Sequence, residues 1–234
     1  MLNIIKKIIL NTFSQQKIDL FENIIHAITN KFDRREWLYN KIYFYCFVYF
    51  HNIEFFSNVD KQQLKQNKNK IIRDYSNEVH HAPLLRTKKL LNYVKKNNDY
   101  HFIDIGSGLG ILLFFVSMKY SFKTYQGIEL NKDVYYKSIE NLKKLNLNKE
   151  VLIKNISADE FKLDPNKKYI IYFFNPFKNF ILEKFLINNI DIIRNNKSII
   201  LYHNDKTGDI FKKYNFKKIK IDTGLNVYLN KDLT

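Results

Sequence analysis

Apolar and polar positions follow two different patterns along the 234-residue chain. Up to about residue 75 there is neither glycine nor proline, and aromatic residues recur with the spacing of helix faces. From His81 onward, short apolar runs alternate with amphipathic stretches, as in "HFIDIG" followed by "ILLFFVSMKYS". The pattern predicts a helical N-terminal extension or cap over residues 1–78 and an α/β domain over residues 79–234.

Seven short strands are predicted in the second region. Helical or irregular segments separate the first five, which indicates parallel βαβ units, whereas a tight turn at Thr223-Gly224 joins the last two. We therefore expect a Rossmann-like, doubly wound and mostly parallel sheet that ends in an antiparallel hairpin. The predicted strands are, in order, "HFIDIG", "TYQGIEL", "VLIKNIS", "YIIYFFN", "SIILYHN", "FKKIKID" and "NVYLN".

The N-terminal region offers no predicted membrane span. Its most apolar run, Ile42–Phe50, falls short of the roughly 20 residues that cross a bilayer, and it predicts a buried helix, with an interfacial helix as the alternative. The opening "MLNIIKKIIL" is too short in apolar residues for a signal peptide. Cys46 is the single cysteine, which excludes an intramolecular disulfide and a CxxC zinc site. We expect a cytoplasmic protein.

The formal net charge of +16 is large for a chain of this length. One interpretation is a phosphate-bearing partner, either a nucleic acid or an anionic membrane surface. The alternative is compositional bias, because lysines are spread over most segments and arginine, the better bidentate phosphate ligand, is scarce. Both interpretations stay open from the sequence.

The run "DIGSGLG" places a glycine-rich turn between a strand and a helix, where a nucleotide's ribose or phosphate can approach the backbone. The dinucleotide pattern G-x-G-x-x-G would need a third glycine where Ile111 stands, and Asp104 lies two residues before the first glycine. The chain also lacks the G-x-x-x-x-G-K-[ST] of a P-loop. Nicotinamide, flavin and ATP-hydrolysing functions are therefore disfavoured.

The same run resembles the first motif of class I S-adenosylmethionine-dependent methyltransferases, and so does the terminal hairpin. The resemblance implies that Asp104 organises the loop near the methionine end, Glu129 of "GIEL" binds both ribose hydroxyls, and Asp159 of "SADEF" lies beside the adenine amino group. It implies the class I methyltransferase fold and S-adenosyl-L-methionine as cofactor. The implied cofactor site comprises Asp104, Gly106, Ser107, Gly108, Gly110, Glu129, Leu130, Ala158, Asp159 and Asn175.

The stretch "YFFNPF" ends the fourth predicted strand, which in this superfamily faces the transferred methyl group. It is similar to the (Asp/Asn)-Pro-Pro-(Tyr/Phe) motif of amino-methyltransferases, which implies a role in catalysis for Asn175, Pro176 and Phe177. The alternative is a strand end turned by proline, with Phe177 in the core.

A further resemblance runs from about Phe32 to the C-terminus. "FDRREW", "FIDIGSGLG", "GIEL", "FFNPF" and "ILYHN" recur in this order in a group of bacterial class I methyltransferases whose acceptor is not established. Outside the motifs, His203 ends the fifth strand near the expected substrate cleft and is a catalytic candidate, as are His80 and His81, for which a surface position is the alternative. No histidine or carboxylate cluster has metal-ligand spacing, so no metal is expected.

Three functions fit these observations. The first is a methyltransferase that acts on a small molecule, a sugar or a polysaccharide precursor, and it is the main prediction. The second is an N-methyltransferase that acts on nucleic acid or a protein amine, which the charge and "NPF" favour. The third is a non-catalytic binding protein with a degenerate nucleotide fold, against which the three retained carboxylates count.

Overall fold

The computed structural model describes residues 36–54, 81–96, 98–174 and 177–230. Two compact units are distinguished, residues 1–47 and 48–234. Several sequence predictions lie outside the described residues: the boundary near residue 78, His80, Asn175, Pro176 and most of the "FDRREW" segment. They stay predictions.

Helix α1 spans Glu36–Phe50 and contains the apolar run, so the predicted helix is confirmed. Within it, the Asn40 side chain donates to the Glu36 carbonyl at 2.8 Å. Among the residues that the structure describes, no helix is both long and apolar enough to cross a bilayer.

The larger unit is built on one seven-stranded sheet in the order β3-β2-β1-β4-β5-β7-β6. Strands β1 to β5 are parallel, and β7 is antiparallel to both of its neighbours. This confirms the predicted doubly wound sheet with its C-terminal antiparallel pair. The elements are α2 (Leu84–Val94), β1 (His101–Ile105), α3 (Ile111–Lys119), β2 (Tyr125–Glu129), α4 (Lys132–Lys144), β3 (Val151–Asn155), β4 (Tyr169–Phe174), α5 (Asn179–Asn195), β5 (Ile199–His203), α6 (Ile210–Lys213), β6 (Phe216–Asp222) and β7 (Leu225–Asn230).

The strand order reverses between β1 and β4, because the chain first builds outward through β2 and β3 and then returns to the other side of β1. In open α/β sheets, ligands bind at the carboxyl ends of the strands next to such a reversal. The ends of β1, β2 and β4 are therefore the expected place for a site.

The two faces of the sheet carry different residues because side chains alternate along each strand. One face, with Ile103, Ile171 and Tyr202, packs under the apolar side of α5 in the main core cluster. On the other face, Asp104 is the register partner of Tyr172, and their side chains lie on the side of α2. A polar strand end thus lies on the face away from the main core.

The edges of the sheet are polar. In β6 the edge residues Lys217, Lys218 and Lys220 are exposed, and in β3 only Ile153 is buried. Charged edge strands resist pairing with a second sheet. The central strands β4 and β5 are instead buried almost throughout, as expected for strands that are covered on both faces.

Candidate functional site

The glycine loop follows β1 directly and is tied to β2. The amides of Gly106 and Ser107 both donate to the Ile128 carbonyl, at 3.0 and 2.9 Å, and the Gly110 amide closes the turn on the Ser107 carbonyl at 2.9 Å. These bonds hold the loop against the end of the neighbouring strand.

The glycines of this loop serve different purposes. All three have positive φ, but a Cβ on Gly110 would lie 2.6 Å from the Phe114 ring, whereas a Cβ on Gly108 would meet no atom within 4 Å. Gly110 is therefore required by the packing of α3 below the loop. Gly108 faces open space, and it is the position where a ligand can approach the backbone.

Asp104 is 3% exposed at the end of β1, and no described residue forms a hydrogen bond or ion pair with its carboxyl group. Burial, and secondly the nearby Glu129 carboxylate, raise the pKa of Asp104 to about 8. A buried carboxyl group without a partner is costly, so this group calls for a ligand that donates hydrogen bonds or carries positive charge.

Ser107 is a second buried polar group without a partner. The residue is 8% exposed, and its Oγ has no hydrogen-bond partner among the residues that the structure describes. A Cβ on Gly127 would lie 2.7 Å from this Oγ, so the glycine in β2 provides the space that the Ser107 side chain occupies. Sequence reasoning missed Gly127, although "YQGIEL" displays a glycine inside a strand, which often marks a close approach.

Glu129 links β2 to the glycine loop. Its Oε2 accepts from the Gly108 amide at 3.0 Å, and its Oε1 accepts from the Asn131 amide at 2.8 Å. The residue keeps part of its surface exposed, but its carboxylate lies deep enough that burial raises its pKa despite these two bonds. A carboxylate offers about four acceptor positions, so Glu129 can still accept from two further donors.

The backbone at Glu129 is also fixed. The Asn155 side chain donates to the carbonyls of Glu129 and Leu130, at 2.8 and 3.0 Å, and Asn131 caps α4 by accepting from the Asp133 amide at 3.0 Å. Asn155 was not among the predicted site residues, because a lone asparagine at a strand end carries no sequence signal of this contact. Glu129 and Leu130 are thereby held in place from both sides.

Ala158 and Asp159 lie in the loop after β3. Ala158 is buried, and the Asp159 carboxylate accepts from the Ser157 hydroxyl and forms an ion pair with Lys184 at 3.5 Å. The buried Asn189 of α5 holds the next part of the loop, because it accepts from the Leu163 amide at 2.7 Å and donates to the Phe161 carbonyl at 2.9 Å. The carboxylate of Asp159 is thus already engaged, unlike that of Asp104.

Of the residues proposed for catalysis, the structure describes Phe177 and His203, which lie on opposite faces of the sheet. The Phe177 ring packs edge-to-face on Phe173 at 6.0 Å and adjoins the core cluster on the α5 face. His203 lies on the opposite face, where its Nδ1 is 3.0 Å from both the Thr87 hydroxyl and the Tyr172 hydroxyl. His81, just before α2, is half-buried.

Around His203 the site is neutral. Burial, and secondly the Arg86 guanidinium, lower the pKa of His203 to about 3, and burial raises the pKa of Tyr172 well above its usual value. In the described ranges, no group of three or more His, Cys, Asp or Glu side chains could hold a metal ion. The chemistry available here is hydrogen bonding by uncharged groups.

The turn after β5 borders this region and is fixed by Asp205. Its carboxylate accepts from the Thr207 hydroxyl at 2.6 Å, from the Asn226 amide at 2.7 Å and from the Tyr228 hydroxyl, and it pairs with Lys218 at 3.2 Å. Burial alone would raise the pKa of Asp205, but these bonds outweigh it and lower the pKa. This carboxylate is saturated and structural.

No family model and no curated protein matches this chain. Similar solved structures include an RNA methyltransferase from Salinibacter ruber in complex with S-adenosyl-L-homocysteine (16% identity, 64% of this chain, 92% of that chain, TM-score 0.47). They also include a protein in the NADB-Rossmann superfamily from Streptococcus agalactiae (16% identity, 64% and 68%, TM-score 0.48). A third is a ribosomal protein L11 methylase from Lactobacillus delbrueckii subsp. bulgaricus (14% identity, 63% and 76%, TM-score 0.41). These scores lie below 0.5, and the proposals that follow rest on the residues of this chain.

Proposed function

We propose that this protein is a methyltransferase that uses S-adenosyl-L-methionine. The observation that carries the proposal is the carboxyl group of Asp104, which is 3% exposed and has no partner in the described part of the chain, beside a glycine that faces open space. A ligand at this place has to be a hydrogen-bond donor or a cation. The amino and sulfonium groups of the cofactor supply positive charge, which is what a buried carboxylate lacks.

The remaining groups of the loop fit a nucleoside. Glu129 retains acceptor capacity for the two ribose hydroxyls, and the unpartnered Ser107 hydroxyl can donate to or accept from the ligand. Ala158 and Asp159 follow β3, where the resemblance places the adenine ring. The bound cofactor would supply an electrophilic methyl group, and the contribution of the protein is to align it with the acceptor.

A phosphate-bearing cofactor fits the same residues poorly. Pyrophosphate would bring negative charge next to Glu129, and it offers neither the hydrogen-bond donors nor the positive charge that Asp104 lacks. NAD, FAD and ATP are therefore disfavoured by electrostatics as well as by the glycine spacing.

For the methyl acceptor, the structure of the surface favours a nucleic acid over the small molecule or sugar first expected. Lys178 follows β4 and Lys206 follows β5, and both are exposed in loops at the carboxyl edge of the sheet, where the site lies. Together with the net charge of +16, they favour a polyanionic acceptor. A nucleic acid is accordingly the acceptor class that we propose.

Calorimetry tests the cofactor. We expect S-adenosylhomocysteine to bind, and Glu129→Gln to weaken its binding by about 10- to 100-fold, because an amide cannot accept from both ribose hydroxyls while serving two backbone amides. Glu140→Gln, an exposed change on α4, is the matched control and should leave affinity unchanged. Equal affinity of wild type and Glu129→Gln for S-adenosylhomocysteine would contradict the proposal. So would tighter binding of NAD or ATP than of S-adenosylhomocysteine.

Salt-dependent binding tests the acceptor class. For a mixed-sequence RNA, the logarithm of the binding constant decreases linearly with the logarithm of the salt concentration. This slope should be shallower by about 1.5 in the double variant Lys178→Gln/Lys206→Gln, since each phosphate contact contributes roughly 0.7–0.9. Lys95→Gln/Lys96→Gln removes the same charge after α2, near the amino ends of the strands, and should leave the slope unchanged. Identical slopes in the two double variants would argue against a nucleic-acid surface beside the site.

A further inference from the structure

The cluster of Thr87, Tyr172 and His203 brings together three polar groups from α2, β4 and β5. The His203 Nδ1 lies 3.0 Å from the Thr87 hydroxyl and 3.0 Å from the Tyr172 hydroxyl, and the two hydroxyl oxygens lie 3.2 Å apart. The Thr87 hydroxyl is also 3.1 Å from the Pro83 carbonyl. All three side chains are buried, so each close contact between them needs a proton.

Counting protons identifies the tautomer of His203. The Pro83 carbonyl can only accept, so its contact uses the single proton of Thr87. Three contacts remain among the hydroxyls and Nδ1. If Nδ1 were unprotonated, the Tyr172 proton would be the only one left for these three contacts. The lone pair of Nδ1 would then face a lone pair of the Thr87 oxygen at 3.0 Å, with no proton between them.

A second hydrogen-bond arrangement with an unprotonated Nδ1 fails too. If Thr87 donated to Nδ1 instead of to Pro83, the Tyr172 hydroxyl would either compete for the one lone pair of that nitrogen or donate to Thr87 and face Nδ1 lone pair to lone pair at 3.0 Å. With a proton on Nδ1, the imidazole donates toward the two oxygens, Tyr172 donates to Thr87, and Thr87 donates to Pro83. Every contact then has a proton, so Nδ1 is protonated and Nε2 carries the lone pair.

Nε2 has no hydrogen-bond partner among the residues that the structure describes, although His203 is only 4% exposed. The residue ends β5, and its hydrogen bond to Tyr172 places the ring on the face that carries Asp104, because Asp104 and Tyr172 are register partners. The Nε2 nitrogen is not among the fully buried atoms that lack a partner, so it remains open to a ligand group that donates, next to the proposed cofactor site.

We propose that His203 presents an unprotonated Nε2 to the N–H or O–H group that receives the methyl group, and that Thr87 fixes it in this state. The inference rests on the proposed methyltransferase function. In the reaction, the bond between the methyl carbon and sulfur breaks as the bond to the acceptor nitrogen or oxygen forms. The methylated acceptor then loses its proton to water, while the hydrogen bond to Nε2 beforehand aims the nucleophile's lone pair at the methyl carbon.

The surroundings keep this nitrogen neutral. Of the charged and titratable groups around the cluster, Arg86 comes from α2, Asp104 from β1, and Glu129 lies beyond Asp104 on β2. Burial and Arg86 hold the pKa of His203 far below neutrality, at about 3. His203 therefore stays a hydrogen-bond acceptor throughout the physiological pH range.

Nitrogen-15 NMR of the full chain tests the tautomer without any acceptor. Long-range correlations assigned with a His203→Gln spectrum should show Nδ1 protonated and Nε2 bare, unchanged from pH 5 to pH 8. Tyr172→Phe should keep this tautomer, because Thr87 still accepts from Nδ1. Thr87→Val should shift it toward protonated Nε2, because the Tyr172 hydroxyl then has only Nδ1 as an acceptor. Protonated Nε2 in wild type, or no shift in Thr87→Val, would overturn the inference.

Methyl transfer tests the role. With the substrate fraction found by methyl labelling, we expect Thr87→Val to lower transfer by about 100-fold and Thr87→Ser to restore it, while affinity for S-adenosylhomocysteine stays within about threefold in both. Wild-type transfer in a Thr87→Val protein with protonated Nε2 would refute the role of His203. Failure of wild type to bind S-adenosylhomocysteine would instead refute the proposed function, and the NMR result would still decide the tautomer.

Discussion

Asp104 permits a test in which a single isosteric substitution has opposite effects on stability and binding. Asparagine has nearly the same shape as aspartate, and no described residue hydrogen-bonds the Asp104 carboxyl group, so Asp104→Asn removes a charge without breaking an internal bond. Burial, and secondly Glu129, raise the pKa of Asp104 from 3.8 to about 8. The substitution should therefore relieve a cost that the wild-type protein carries in the absence of cofactor.

The direction in which stability changes with pH follows from the direction of the pKa shift of Asp104. The folded protein holds the Asp104 proton more tightly than the unfolded chain, so this contribution to stability is complete below pH 3.8 and is lost as the pH rises through about 8. A shift of four units corresponds to about 5 kcal/mol as an upper bound. Allowing for water penetration and relaxation, we expect Asp104→Asn to be more stable than wild type at pH 8 by about 2 kcal/mol or more, which is roughly 5 °C in Tm.

Urea unfolding of both proteins at pH 4, 6 and 8 without cofactor measures this effect. The free energies of unfolding of wild type and Asp104→Asn should agree at pH 4 and diverge as the pH rises. Glu140→Gln, an exposed change, should follow wild type throughout. Calorimetry on Asp104→Asn should show S-adenosylhomocysteine binding weakened at least about tenfold. If Asp104→Asn were no more stable than wild type at pH 8, Asp104 would have a partner in solution, and the main argument for a cationic ligand would fail.

Three further substitutions test the supports of the site. Gly127→Ala places a Cβ 2.7 Å from the Ser107 Oγ, so it should cost about 1–3 kcal/mol in urea unfolding and weaken S-adenosylhomocysteine binding, and adding Ser107→Gly should recover the stability. Asp205→Asn should cost about 2–4 kcal/mol at pH 7, and because the pKa of Asp205 is lowered, the difference from wild type should shrink only below about pH 4. Asn189→Ala leaves the Leu163 amide without its acceptor, so urea unfolding should show a loss of about 2–4 kcal/mol, with amide hydrogen exchange fastest in the loop after β3. A cost below about 0.5 kcal/mol in any of the three would contradict the contact on which it rests.

The helices and strands of the larger unit could be predicted from the sequence because each has a local pattern of apolar and polar residues. Apolar runs of strand length, amphipathic stretches between them and the turn at Thr223-Gly224 predict the strands and the hairpin. Asp104 and Glu129 were singled out because "DIGSGLG" and "GIEL" resemble methyltransferase motifs, and the structure places both residues toward the carboxyl ends of neighbouring parallel strands.

The His203 cluster was not accessible, because its partners are far apart in the sequence. Thr87 and His203 are separated by 116 positions, and nothing in "LLRTKKLL" marks its threonine as a ligand of a histidine. The glycines show a different limit. The pattern predicts a glycine-rich turn, but only the structure distinguishes Gly110, which Phe114 requires, from Gly108, which faces open space.

The distribution of charge connects the cofactor and the acceptor. The buried carboxyl groups of Asp104 and Glu129 lie at the proposed cofactor end of the site, whereas Lys178 and Lys206 make its rim electropositive. A polyanionic acceptor is attracted to the rim, and burial disfavours a further charge at the cofactor end, so we expect its phosphates to stay outside and an uncharged group to reach inward. The uncharged cluster around His203 lies on the face of the sheet that also carries Asp104. Basic loops beside a site lined by buried carboxyl groups and an uncharged cluster favour methylation of a base or ribose group held away from its own backbone phosphate.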